Sequence, residues 1–117
     1  MNAVFVYGLL KPGFRLHHVV EPFVVAASPA STRGRLYDAG VPAARFDEDG
    51  TLEGVVLWLD EARVDEALRV LDELEDEGTE YRRVVLEVDT DSGGVEAFAY
   101  EYLLSLDGRA DAGPSWR

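Results

Sequence analysis

Leu71–Arg83, LDELEDEGTEYRR, closes an amphipathic helix and leads into the strand that follows it. Counting about 100° per residue from Val64 puts Ala67, Leu68, Leu71 and Leu74 on one side. Glu66, Arg69 and Glu73 fall on the other. Glu75 breaks the pattern, because it lands about 20° from Val64, inside the apolar stripe. An ionised carboxylate facing a core must find partners or take up a proton. A carboxylate held between those two states is a candidate general acid/base. The same residues admit a plainer reading, in which the helix stops at Leu74 and Glu75 points to water. The helical wheel alone does not choose between the two.

Working outward, the helix runs from about Glu61 to about Glu75, with Asp60 as its N-cap. Its last turn and exit carry Asp72, Glu73, Asp76 and Glu77. Negative charge there opposes the helix dipole and raises the pKa of a neighbouring carboxylate. A solvated acidic turn would have the same composition. Upstream, Leu52–Leu59 (LEGVVLWL) reads as a strand. Downstream, Tyr81–Asp89 alternates as a strand, Asp91–Gly94 forms a hairpin turn, and Val95–Leu104 pairs back.

Nearer the N-terminus, Ala3–Tyr7 (AVFVY) is a short apolar, β-branched and aromatic run that reads as a buried strand ended by Gly8. A strand that exits through glycine can aim successive N–H groups into one space, where they bind a carboxylate or oxyanion. Most such exits are only turns. Phe14–Val20 is expected to form a short helix. Its adjacent His17 and His18 point about 100° apart, a poor metal site, and read as a surface pair. Pro22 and Pro29 bracket an edge segment at Phe23–Ala27, Ser31–Asp38 reads as a strand with a glycine inside it, and Val41–Phe46 as a loop or short strand. Asp47–Gly50 is a turn without the spacing of a calcium loop. The tail from Ser105 is polar. The order is an α+β pattern, one long helix packed on a strongly bent, mostly antiparallel sheet.

The 117 residues suit one domain spanning 1–117, large enough for an adequate core. There is no cysteine, which excludes disulfides, thiol catalysis and cysteine-based zinc sites. The net charge of −12 disfavours nucleic acid and anionic membranes as partners. No stretch approaches the roughly 18 apolar residues of a membrane span. The chain opens directly on a strand-like run with no signal-peptide pattern, so a cytoplasmic protein is expected.

Three stretches, in order, resemble one family. VFVYGLLKPG is similar to the VYGTLKxG or YGSL signature of the γ-glutamylcyclotransferase-like proteins, the group that includes γ-glutamylamine cyclotransferase and the AIG2-like plant proteins. GRLYDAGVPA is similar to their GxLYDxGxxPA, LDELEDEGTEYRR to their LDxFEG…YxR, and the closing GPSWR to their terminal GDW. The resemblance implies a bent or partly closed mixed β-barrel with one long helix and short flanking helices. It implies an enzyme that cyclises the γ-glutamyl group of a small-molecule amine or peptide to 5-oxoproline and releases the amine, with neither metal nor cofactor. The family's catalytic glutamate falls on Glu75 and its substrate-cradling loop on Tyr7, Gly8, Leu9 and Leu10. Tyr81, Arg83 and, less closely, Tyr100 fall on its pocket positions. One position departs: Leu9 stands where the family usually has Ser or Thr. Backbone donors survive that change, whereas a hydroxyl contact worth about 0.5–1.5 kcal/mol does not. A binding module that holds such a ligand without turnover is therefore a rival reading. A second rival is an interaction protein that uses the acidic helix end as its contact surface.

Overall fold

The computed structural model describes all 117 residues. Five strands close a barrel in the order β1 (Ala3–Val6), β5 (Thr51–Leu59), β2 (Val24–Arg33), β6 (Tyr81–Thr90), β7 (Gly93–Tyr102). Neighbours are antiparallel except at the seam, where β7 meets β1 in parallel with Phe98 opposite Val4. A smaller sheet has the order β4 (Pro42–Arg45), β3 (Arg35–Asp38), β8 (Ala110–Asp111). The helices are α1 (His17–Val20) and α2 (Val64–Leu74). No helix is long and apolar enough to cross a membrane.

The continuous apolar run of β1 follows from its position. Val4 and Val6 pack in a cluster with Leu57 and Leu59 of β5 and Ala67, Leu68 and Leu71 of α2. Ala3, Phe5 and Tyr7 face the other way, against Leu52 and Val56 of β5 and Ala97 and Ala99 of β7. Both faces of β1 are buried, so period-two alternation has no polar face to show. The stripe on α2 matches the wheel at Ala67, Leu68 and Leu71, which are all buried, while Leu74 is partly exposed.

Several boundaries differ from the sequence reading. Phe23 lies in a 3-10 turn, Glu21–Phe23, and the strand after it runs from Val24 through Pro29 to Arg33. That strand pairs with β5 along its length, but with β6 only at Ala30 and Ser31. Pro29 thus precedes the doubly paired stretch, where a missing N–H is tolerated. Ser31–Asp38 is not one strand. Gly34, at φ +153°, lets the chain leave the barrel after Arg33 and start the smaller sheet at Arg35. The helix expected from Glu61 begins with a 3-10 turn, Glu61–Arg63, capped by Asp60 Oδ1 accepting the Ala62 N–H at 3.0 Å. Only His17–Val20 of the first predicted helix is helical. The polar tail is also used: Ala110–Asp111 pairs with β3, and Trp116 packs on the barrel cluster.

Candidate active site

The end of α2 is a Schellman motif built without glycine. Asp76, at C′, has φ +49°. The Glu77 N–H reaches the Asp72 carbonyl at 3.0 Å and the Asp76 N–H the Glu73 carbonyl at 3.3 Å. Glu75 is therefore the C-cap. The helix does stop at Leu74, yet Glu75 does not turn into bulk water. Its half-buried side chain lines a cavity of about 150 Å³ that opens to solvent. The carboxylate has no hydrogen-bond or ion-pair partner. Burial first, and then the charge of Glu80, push it up to about 7.

The opposite wall is the exit of β1. A Cβ on Gly8 would lie 2.5 Å from Pro42 Cγ, so only glycine fits there. The loop's carbonyls are held from behind. Gly8 O accepts the Lys11 N–H at 3.1 Å and Leu9 O the Leu16 N–H at 3.0 Å. Leu10 O lies 2.8 Å from His17 Nδ1, which must carry the proton to bond a carbonyl. The N–H groups of Gly8, Leu9 and Leu10 donate to no acceptor in the protein. Three successive uncommitted donors on a cavity wall form an anion-binding concavity.

Three tyrosines complete the walls, and their protons are already committed. Tyr7 Oη donates to the Tyr100 carbonyl at 2.6 Å, Tyr81 Oη to the Pro42 carbonyl at 2.6 Å, and Tyr100 Oη to Asp72 Oδ1 at 2.6 Å. Burial keeps all three hydroxyls well above the usual tyrosine range. Toward a ligand these oxygens act as acceptors.

The cavity thus brings together Glu75, Tyr7, Gly8, Leu9, Leu10, Tyr81 and Tyr100. It does not include Arg83. Arg83 shares a strand face with Tyr81, two residues on, but its guanidinium reaches to Asp72 Oδ2 at 2.7 Å and sits over the Phe98 ring at 5.4 Å, outside the lining. Sequence reasoning missed Pro42, Arg15 and Glu80, which also line the cavity. It also read His17 as surface. No spacing rule signals a side chain that folds back onto a carbonyl seven residues earlier. No cluster of three or more His, Asp or Glu side chains is gathered anywhere for a metal.

A barrel with this cavity between a helix end and a strand exit is the architecture of one class of proteins. The family model for gamma-glutamyl cyclotransferase, AIG2-like, matches residues 4–117, and the chain belongs to that family. Solved structures agree. Bacillus subtilis YkqA is 28% identical with a TM-score of 0.76, over 98% of this chain and 39% of its own. An AIG2-like protein from Mus musculus is 26% identical with a TM-score of 0.70, over 86% of this chain and 76% of its own. A protein from Pyrococcus horikoshii is 28% identical with a TM-score of 0.67, over 97% and 88%. The chain therefore spans well under half the length of the Bacillus protein. A search of curated proteins gives no match.

Proposed function

We propose that this protein is a γ-glutamylcyclotransferase acting on a γ-glutamyl amine or peptide, with Glu75 as its proton carrier. The substrate's α-ammonium gives a proton to the Glu75 carboxylate. The freed nitrogen attacks the γ-amide carbonyl carbon, forming the ring C–N bond and a tetrahedral oxyanion. Collapse breaks the original C–N bond as Glu75 returns the proton to the leaving nitrogen, and the regenerated carboxylate takes the surplus proton from the ring nitrogen and passes it to the departing amine, which leaves as an ammonium. The products are 5-oxoproline and the free amine, and no electrons or further atoms are needed. Nucleophile and electrophile belong to one molecule, so the cavity mainly has to hold the folded conformer. The N–H groups of Gly8, Leu9 and Leu10 bind the substrate carboxylate or the developing oxyanion. The tyrosines shape the walls and accept from the ammonium.

One observation carries this reading: an unpaired, half-buried carboxylate shares a small cavity with three uncommitted backbone donors. The acidic-surface alternative loses part of its footing, since Asp72 is taken up by Tyr100 and Arg83. The test is a panel of γ-glutamyl amines and peptides assayed for 5-oxoproline and liberated amine, with Glu75→Gln as control. Turnover by the wild type and none by the variant supports the reading. Thermal stabilisation by the same compounds without product replaces it with the binding module that Leu9 suggests.

A further inference from the structure

The two working halves of the cavity lie on different elements, and one chain of hydrogen bonds ties them together. It starts on α2 at Asp72, one turn before Glu75. Asp72 Oδ1 accepts from Tyr100 Oη at 2.6 Å, and Tyr100 lies on β7 in the cavity wall. The Tyr100 carbonyl accepts from Tyr7 Oη at 2.6 Å, and Tyr7 is the residue from which the Gly8–Leu10 loop departs. Tyr100 is thus held at its hydroxyl by the glutamate's helix and at its backbone by the donor loop. The other Asp72 oxygen is occupied by Arg83 Nη1 at 2.7 Å, from the position on β6 directly across the strand pair from Tyr100. That contact fixes the carboxylate plane and balances its charge. Asp72 also gives its backbone carbonyl to the Glu77 N–H in the turn that ends the helix at Glu75. Its side chain thus joins the helix that ends at Glu75 to the facing wall.

We infer that Asp72, oriented by Arg83, is a positioning residue for the reaction: through Tyr100 and Tyr7 it sets the spacing between Glu75 and the Gly8–Leu10 amides. This rests on the function proposed above and adds a residue to it. Arg83 then acts at one remove, through Asp72, and not on the substrate. Neutral–neutral hydrogen bonds between the same elements would hold them less firmly than these charge-assisted ones. A misplacement of about 1 Å at such a site costs on the order of 100-fold in rate.

The test compares Asp72→Asn, Tyr100→Phe, their double variant and Arg83→Gln with a control, Arg82→Gln. Arg82→Gln removes the neighbouring ion pair to Glu101, at 3.1 Å, whose arginine is exposed and whose two residues both lie outside the cavity lining. Two readouts are taken: kcat and KM for the best substrate of the panel, and the amide NMR shifts of Gly8, Leu9 and Leu10 in the free protein. The inference expects kcat to fall about 10–100-fold in Asp72→Asn and Tyr100→Phe, with the double variant no worse than the worse single. It expects the three amide resonances to move in both and in Arg83→Gln, but not in Arg82→Gln. Undisturbed amides in Asp72→Asn, or additive losses in the double variant, overturn it. An inactive wild type defeats the proposed reaction instead, and the amide shifts then decide the positioning role alone.

Discussion

Glu75→Gln makes stability and activity move in opposite directions. Glutamine keeps the shape of the side chain and removes its ionisation. Folding moves the Glu75 carboxyl from an ordinary 4.5 to about 7, because burial and then the charge of Glu80 disfavour the ionised form. The folded chain therefore binds more protons than the unfolded chain between those two values, and its stability falls as pH rises through them. Below pH 4.5 both states are protonated and the cost is absent; above pH 7 both are ionised and the cost is complete. At about 1.4 kcal/mol per pH unit it reaches about 3 kcal/mol by pH 8. Urea unfolding measures it directly. With a slope of about 1–3 kcal/mol/M, the variant's midpoint should exceed that of the wild type by about 1–3 M at pH 8. The two midpoints should converge by pH 4. At pH 8, 5-oxoproline release by the variant should fall by at least about 100-fold relative to the wild type, the ordinary contribution of a general acid/base. Equal midpoints at pH 8 would refute the claim that the carboxylate is desolvated. Undiminished turnover would remove Glu75 from the reaction even if the stability gain appeared.

Three further outcomes follow from the same geometry. If Glu75 must be ionised to take the first proton, kcat/KM rises with pH through an inflection near 7, and Glu80→Gln moves that inflection down because a neighbouring negative charge is gone; a pH–rate profile of both proteins checks it. Gly8→Ala forces a methyl to 2.5 Å from Pro42 Cγ, so it should lose about 1–3 kcal/mol in urea unfolding and raise KM as the loop shifts. Asp76→Gly relieves a non-glycine residue at φ +49° and should gain up to about 1 kcal/mol, read as a higher urea midpoint with kcat unchanged.

The residues that show in the sequence are those whose role is local. The apolar run of β1, the alternation along Tyr81–Asp89, the hairpin turn and the stripe on α2 each announce themselves within ten residues. So does Glu75, because a carboxylate on an apolar stripe violates a local rule. The plainer reading of that violation was right about the helix end and wrong about the water. Stopping at Leu74 frees the chain to aim Glu75 sideways, and the cavity supplies the low-polarity surroundings that the stripe had suggested. What stayed hidden is set by distant partners. Barrel closure depends on a parallel contact between Val4 and Phe98, which no local pattern encodes. The break at Gly34 depends on where the second sheet lies. Arg83 carries the family's pattern and shares Tyr81's strand face, yet its guanidinium is taken by Asp72 on α2, a partner that no local pattern announces.

Two acids three residues apart on one helix give the sharpest argument for a working site. Asp72 is matched on both oxygens, by Tyr100 and by Arg83. Glu75 is matched on neither and has a second acid, Glu80, on its own cavity. A fold under pressure only for stability would place the arginine beside the unpaired, desolvated carboxylate, where it would offset the most unfavourable charge in the region. Instead the positive charge anchors the wall, and the unpaired Glu75 carboxyl is left at about 7. Divergent environments for neighbouring acids are how one site separates a structural carboxylate from a reactive one. On the proposed reaction, that separation gives the structural part to Asp72 and the proton transfer to Glu75.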